Sequence, residues 1–371
     1  MSVAASSPRP LYPPKPPGLR RYREQLTTFG VFVFLVFLPW IPVLGWTDIF
    51  DSSNNFGRGN LAFVFAYGAA AVGFNLLVGY SGTLGLAVAG LFALGAYGTA
   101  VLSAPSDARE ALAGYDWPFF LALPVVCIAA AIIGVLVGFP AARLKGFFLA
   151  IATLALGELI VTIIRLDDDV WSGLKTNGGT GKQVPQFLIP GLGIDRDRIL
   201  SAYMLSLGAL VLTMLAYIVL TNRRLGRTLK AVRDIDIATG PLGISSTYYK
   251  LVAFGLSAFA AALAGAMWAQ NSSFANPQTF RTRLLVFLLV VLIVGGLGRK
   301  WGPLIGAVFF VFLRQKLQDT QKLLFLILGI ALILAVLVLP NGIAVLPKQI
   351  RDSRWVKDLQ RRLESLSGFS P

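Results

Sequence analysis

Apolar runs long enough to cross a bilayer recur along this chain, and no other feature restricts its fold so severely. Breaking the sequence at charges, Gly/Pro clusters and polar stretches leaves ten runs. They are Phe29 to Trp46, Leu61 to Val78, Leu84 to Ser103, Pro118 to Phe139, Phe147 to Ile164, Ile199 to Leu220, Leu251 to Ala269, Leu284 to Leu297, Pro303 to Leu313 and Leu323 to Leu339. Crossing the hydrocarbon core takes about 20 apolar residues, and helices close their own backbone hydrogen bonds there. The pattern predicts an all-α polytopic membrane protein of about ten transmembrane helices. The eighth and ninth runs are short and flank Gly295, Gly296, Gly298 and Gly302, so they read as half-helices around a glycine break, with eight or nine spans as alternatives.

Charge sets the orientation. Only 14% of residues are charged, against about a quarter in soluble domains, yet the net charge is +15. The basic excess is explained by loops kept on the cytoplasmic side, so nucleic acid is not an expected partner. The Pro-rich, basic residues 1–28 lack the small-residue cleavage site of a removed signal and read as a retained cytoplasmic tail. Alternation from there gives a transmembrane domain over 29–340, an external loop at 166–198, a cytoplasmic loop at 222–250 and a cytoplasmic tail at 341–371. With both termini inside, 21 of the 33 basic residues are cytoplasmic. Arg314, Lys316 and Lys322 fall on the wrong side of this scheme. In the last tail, Ile350, Trp355, Val356, Leu359, Leu363 and Leu366 fall near one helical face, which predicts an amphipathic helix drawn to anionic lipid.

Reactive side chains are scarce. Histidine is absent and Cys127, inside an apolar run, is the single cysteine, which excludes an intramolecular disulfide and most hydrolase and zinc-site chemistries. The stretch TNGGTGKQ, Thr176 to Gln183, imitates a phosphate loop but lacks its first Gly and its terminal Ser or Thr. Glu158 is the carboxylate deep in a span. Such a group faces the bundle interior or a wet cavity and needs a partner; Arg165 and a polar group on a companion subunit are the candidates. A structural pair between helices and a place on a solute path are both open to it.

The polar stretch between the sixth and seventh runs, NRRLGRTLKAVRDIDIATGPLGISSTYYK, is far longer than a simple helix connection. Leu229, Val232, Ile235 and Ile237 punctuate its charges before Gly240, Pro241 and Gly243, which predicts a short amphipathic helix and a turn on the cytoplasmic face. From Leu225 the run LGRTLKAVRDIDIATGPLGISSTYYKLVAFGLSAFAAALAGAMWA resembles the cytoplasmic loop and following span of LivM-type permeases, the membrane subunits of ATP-binding-cassette importers for branched-chain and neutral amino acids. FNLLVGYSGTLGLAVAGLFALGAYGTAVL from Phe74, FPAARLKGFFLAIATLALGELI from Phe139 and LLVVLIVGGLGRKWGPLIGAV from Leu288 resemble the same family in the same order.

The resemblance implies a non-enzymatic permease subunit, multi-pass in the bacterial inner (plasma) membrane, moving its solute by alternating access. Its implied partners are a second permease in a heterodimer, two cytosolic ATPases that hydrolyse the ATP, an extracytoplasmic binding protein, the amino acid and membrane lipid. No cofactor is expected on this chain. Arg233 to Gly243 would dock on the ATPase, with Arg233, Asp234, Asp236, Ala238, Gly240, Leu242 and Gly243 as the coupling residues. The sequence departs from the family here: Asp236 replaces a Glu, and Gly240 and Pro241 replace a helix-friendly pair. Many relatives also carry Gln, Ser and His where Thr83, Gly85 and Val88 stand. Urea permeases of the superfamily favour the His, so Val88 points to an amino acid, with urea or a short-chain amide as the alternative solute. Asn75, Tyr80, Ser81, Val88, Phe92 and Glu158 are the candidate lining of the path. Gly79, Gly82, Gly85, Gly90 and Gly95 read first as close-packing positions. Thr176, Gly178, Gly179 and Thr180 are the candidate contact with the binding protein. A stand-alone channel or secondary transporter would share the spans but has no use for the long cytoplasmic loop.

Overall fold

Lipid leaves an apolar segment one open-ended solution, the helix, and the apolar runs adopt it. The computed structural model describes residues 58–105, 114–144, 146–166, 181–185, 187, 198–234, 244–272, 274–316 and 329–330. In chain order the longer helices are α1 (Arg58–Asn75), α2 (Val88–Ser103), α3 (Phe119–Ala141), α4 (Phe147–Arg165), α5 (Arg198–Asn222), α6 (Arg224–Asp234), α7 (Ser246–Ser272), α8 (Thr282–Gly295) and α9 (Gly302–Lys316). Among the described residues, five helical stretches are long and apolar enough to span a membrane: Asn60–Tyr80, Phe119–Ala141, Phe147–Arg165, Leu200–Asn222 and Ser246–Ser272. Three more, Val88–Ser103, Thr282–Gly295 and Gly302–Arg314, are shorter and apolar.

The chain is therefore a mostly helical, multi-pass membrane protein. Among the described residues two short strands, β1 (Lys182–Gln183) and β2 (Phe274–Ala275), form one small antiparallel pair with Lys182 opposite Ala275. The run expected from Leu84 starts later, at Val88, because Gly82 adopts φ +69° and the residues from Gly82 to Ala87 are non-helical. The two short runs around the glycine break are α8 and α9. The run Phe29 to Trp46, nearly all of Leu323 to Leu339, both tails and the expected C-terminal amphipathic helix lie outside the described residues.

Helix α7 is the centre of the bundle, packed against α1, α2, α3 and α5; α1 in turn contacts α5 and α9, and α4 lies outside α2. Composition explains this position. Ala253, Ala258, Ala261, Ala262, Ala264 and Ala266 of α7 are fully buried, and small side chains let several helices approach one backbone at once. The closest approach is to α2. A Cβ at Gly265 would sit 2.9 Å from the Phe92 carbonyl carbon and 3.1 Å from the Ala96 nitrogen, and one at Gly95 would sit 2.5 Å from the Ala262 Cα.

Hydroxyls inside the bundle bond back to their own helices: Thr99, Thr213 and Thr221 each donate to the carbonyl four residues earlier. The outer faces are the reverse of a soluble protein's. Phe120, Leu121, Ile128, Ile132 and Leu136 on α3, with Phe147, Phe148, Ile151 and Leu159 on α4, are all exposed. A continuous apolar surface of this kind is matched by acyl chains and would be an aggregation liability in water.

Candidate functional site

At one end of the bundle α1 loses regular geometry. Its last turn, Leu76–Tyr80, is π-helical, a distortion that opens the backbone ladder and marks many functional sites. Beyond it the Ser81 hydroxyl donates to the Leu77 carbonyl at 2.6 Å and shares a 2.5 Å hydrogen bond with the Thr83 hydroxyl. These bonds satisfy polar groups that the turn into Gly82 would leave open.

The side chain that fixes this irregular end is Asn75, which is completely buried. Its Nδ2 donates to the Tyr217 hydroxyl of α5 at 2.8 Å and to the Arg299 carbonyl at 2.9 Å. Its Oδ1 accepts from the Gly298 N–H at 2.8 Å. One amide thus joins α1, α5 and the break between α8 and α9. Two glycines permit it: Gly298 adopts φ +71°, and a Cβ on Gly79 would lie 2.5 Å from the Gly298 nitrogen.

Helix α6 closes the junction from below. Its spacing buries Leu229 and Val232 and leaves Arg227 and Lys230 exposed, the amphipathic pattern expected from the sequence. Arg233 Nη1 donates to the Gly79 carbonyl at 2.6 Å, while its Nε pairs with Asp234 Oδ1 at 2.9 Å. The Arg233 stem lies against Gly82, where a Cβ would come within 3.3 Å of its Cδ. One turn back, Lys230 Nζ sits 4.7 Å above the Tyr80 ring, which meets Tyr217 edge-on with centroids 5.5 Å apart. The amphipathic helix is therefore fastened to the distorted end of α1, and through Asn75 to the glycine break.

The sequence candidates separate into groups. Asn75, Tyr80, Ser81 and Arg233 come together at this junction, with Asp234 beside it on the exposed side of α6. Val88 is the first residue of α2 and is buried, as is Phe92, which lies in an aromatic cluster with Tyr67, Trp268 and Phe280. Glu158 stands apart. Its Oε1 accepts from the Thr282 N–H at 3.0 Å and the Thr282 hydroxyl at 2.6 Å, and its Oε2 lies 3.8 Å from Arg281 Nε. It caps the start of α8 from another helix, with the start of α8 supplying the partners in place of Arg165. Of the expected coupling segment, α6 contains Arg233 and Asp234; Asp236, Ala238, Gly240, Leu242 and Gly243 lie outside the described residues, as do Thr176, Gly178, Gly179 and Thr180.

The five glycines after Asn75 do pack closely. Besides Gly79, Gly82 and Gly95, Gly85 faces Leu77 and Phe254, and Gly90 faces the Gly157 backbone. At the opposite end, Gln270 donates to the Pro185 carbonyl at 3.0 Å and accepts from the Phe187 N–H at 2.9 Å, so α7 holds the segment that follows TNGGTGKQ. Lys182 of that stretch is fully buried beside β2. Among the described residues, no group of three or more His, Cys, Asp or Glu gathers as a metal site would require. Tyr217 and Arg299 were not singled out by the sequence; Gly298 was named as part of the glycine break, without a partner.

The profile of the family described as branched-chain amino acid transport system, permease component, matches residues 59–337. The chain belongs to this permease family. The match takes in α1 through α9, so the whole junction lies within the family's domain. Over 343 residues, 86% of this chain and 75% of the relative, it is 29% identical to the high-affinity branched-chain amino acid transport system permease protein LivM of Salmonella typhimurium. Identity to LivM of Escherichia coli K12 is 28% over the same shares. The ribose import permease protein RbsC of Haemophilus influenzae is 24% identical over 59% of this chain and 67% of its own length. No solved structure matches the chain. The protein is thus a permease of an ATP-binding-cassette importer.

Proposed function

We propose that this permease carries branched-chain or other neutral amino acids inward across the bacterial inner membrane, by alternating access driven by ATP hydrolysed on separate subunits. One observation supports the coupled reading above a stand-alone pore: the amphipathic helix α6 is fastened to the distorted end of α1 through Arg233 and Gly79. A passive channel has no need of a cytoplasmic helix built into the irregular part of its bundle. In this reading a second permease completes the pathway, two cytosolic ATPases dock at α6 and the residues after it, and an external binding protein delivers the solute. The chain itself holds no cofactor, and both termini are cytoplasmic.

Uptake of labelled leucine, alanine, glutamate and urea, in cells with and without the protein, tests the solute. Leucine uptake that depends on the protein is the expected result, and urea uptake alone refutes the amino-acid reading. Orientation is tested by cysteine labelling in intact cells: a cysteine at Gly179 is reached by an impermeant reagent and one at Thr228 is shielded. The opposite pattern overturns the orientation.

A further inference from the structure

Arg314 has no role in the junction, and its position is unusual for an arginine. It lies on the inward side of α9, one turn beyond Phe310 and two beyond Ala307, both of which are fully buried. Its Nη1 donates to the Tyr67 hydroxyl at 3.0 Å. Tyr67 is itself buried and also accepts from Trp268 Nε1 at 2.8 Å. Within the span Asn60–Tyr80 the Tyr67 backbone lies about 10 Å from one end and about 20 Å from the other, at 1.5 Å per residue. Despite this inward aim and depth, Arg314 is exposed in the chain by itself. A guanidinium at that depth is costly against acyl chains and belongs on a water-filled cavity or a protein partner.

Among the described residues no carboxylate pairs with Arg314, whereas Arg233 pairs with Asp234 and Arg281 with Glu158. A guanidinium has five N–H donors and Tyr67 takes one, so a two-pronged face remains for a planar anion. The surroundings suit a solute that is part charged and part apolar. Phe63, half-buried one turn from Tyr67, stands 6.2 Å from Trp268 and 6.5 Å from Tyr67 between ring centroids.

We propose that Arg314 is the carboxylate-binding residue of the translocation path, receiving the α-carboxylate of the amino acid, while Tyr67 and Trp268 hold its guanidinium in place and Phe63 flanks the solute. Tyr67 is a positioning residue. The inference rests on the amino-acid reading above, since urea offers no carboxylate. It also accounts for a positive charge that the orientation scheme left on the wrong side.

The test uses the complete transporter in proteoliposomes, with its ATPases and binding protein, assayed for leucine uptake and for ATP hydrolysis. Arg314→Gln is expected to lower leucine uptake about tenfold or more. Arg314→Lys recovers part of it, because an ammonium restores the charge without the fork. Tyr67→Phe gives a smaller loss. Charge is separated from shape with Arg314→Cys, made after complex assembly into a target for thiol reagents; the native Cys127 is buried. An aminoethyl reagent is expected to restore uptake and a sulfonatoethyl reagent of similar size is not. Uptake within twofold of wild type in Arg314→Gln, or equal rescue by both reagents, overturns the proposal while leaving the amino-acid reading standing. A wild-type transporter that carries a solute without a carboxylate and ignores leucine overturns both.

Discussion

Replacing Asn75 with Ala removes three hydrogen bonds at once and leaves their partners in place. The Gly298 N–H loses its acceptor, the Arg299 carbonyl its 2.9 Å donor, and Tyr217 its 2.8 Å donor. Interhelical hydrogen bonds in membrane proteins contribute about 0.6 kcal/mol each on average, which sets a floor of roughly 2 kcal/mol for the three. The Gly298 and Arg299 backbone groups are only part-buried, so water meets part of their need and the expected loss stays at about 2–3 kcal/mol. Tyr217 softens it, since its hydroxyl also lies 3.5 Å from the Arg299 carbonyl and can partly replace the lost donor. Asn75→Asp keeps an acceptor for the Gly298 N–H but sets a completely buried carboxyl group against the Arg299 carbonyl, so it is expected to cost at least as much as Ala. Thermal unfolding of the purified complex in detergent measures the loss. Solute-stimulated ATP hydrolysis in proteoliposomes reports whether the junction transmits. A shift below about 0.5 kcal/mol with normal stimulation would refute the view that Asn75 ties α1, α5 and the glycine break together.

Arg233→Ala is expected to change stability by less than about 1 kcal/mol, because the side chain is 41% exposed and screened. It is nonetheless expected to uncouple ATP hydrolysis from uptake by releasing the Gly79 carbonyl, and normally coupled uptake counts against that link. Glu158→Gln retains an oxygen for the Thr282 N–H and hydroxyl, so near-normal stability and leucine uptake are expected, whereas Glu158→Leu removes both acceptors from exposed donors and is expected to cost about 1 kcal/mol; a steep loss of uptake in Glu158→Gln places the carboxylate on the solute path. Gly265→Val is expected to cost about 1–3 kcal/mol or more through overlap with the α2 backbone, and an unchanged unfolding temperature in detergent speaks against the close crossing.

Helix existence was legible in the sequence because a bilayer allows few alternatives to a helical apolar run. The amphipathic α6 was legible for a similar reason: Leu229 and Val232 are spaced to share one face, and both are buried. What escaped was pairing across distance. Tyr217 follows Asn75 by 142 residues and Gly298 by 223, and neither spacing carries a local periodicity. Glu158 was visible as an expensive charge, but its partner was not. Helical spacing favoured Arg165 on its own helix, whereas the actual need was the open N–H at the start of α8. Val88 was read as lining because it stands where many relatives carry His, and Phe92 lies one turn further on; both occupy a buried interface, which apolar side chains suit equally well.

The two ends of α1 differ in what they can absorb. Before Asn75, a Cβ on Gly73 of α1 would overlap Ala260 of α7, and where α2 crosses α7 backbones touch at Gly95 and Gly265, so a displacement there meets hard overlap within a few tenths of an ångström. From Leu76 onward the constraint changes in kind. The π-turn has surrendered regular hydrogen bonds, Gly82 and Gly298 occupy left-handed conformations, and the contacts that hold the region are a side-chain amide and a guanidinium. Side-chain hydrogen bonds can exchange partners where interlocked backbones cannot. If α6 is pushed, the expectation is that the end of α1 and the break before α9 yield before the α7 packing does, because the link at Gly79 can re-form. Asn75 makes those two discontinuities move together, because the same amide bonds both sides of the gap.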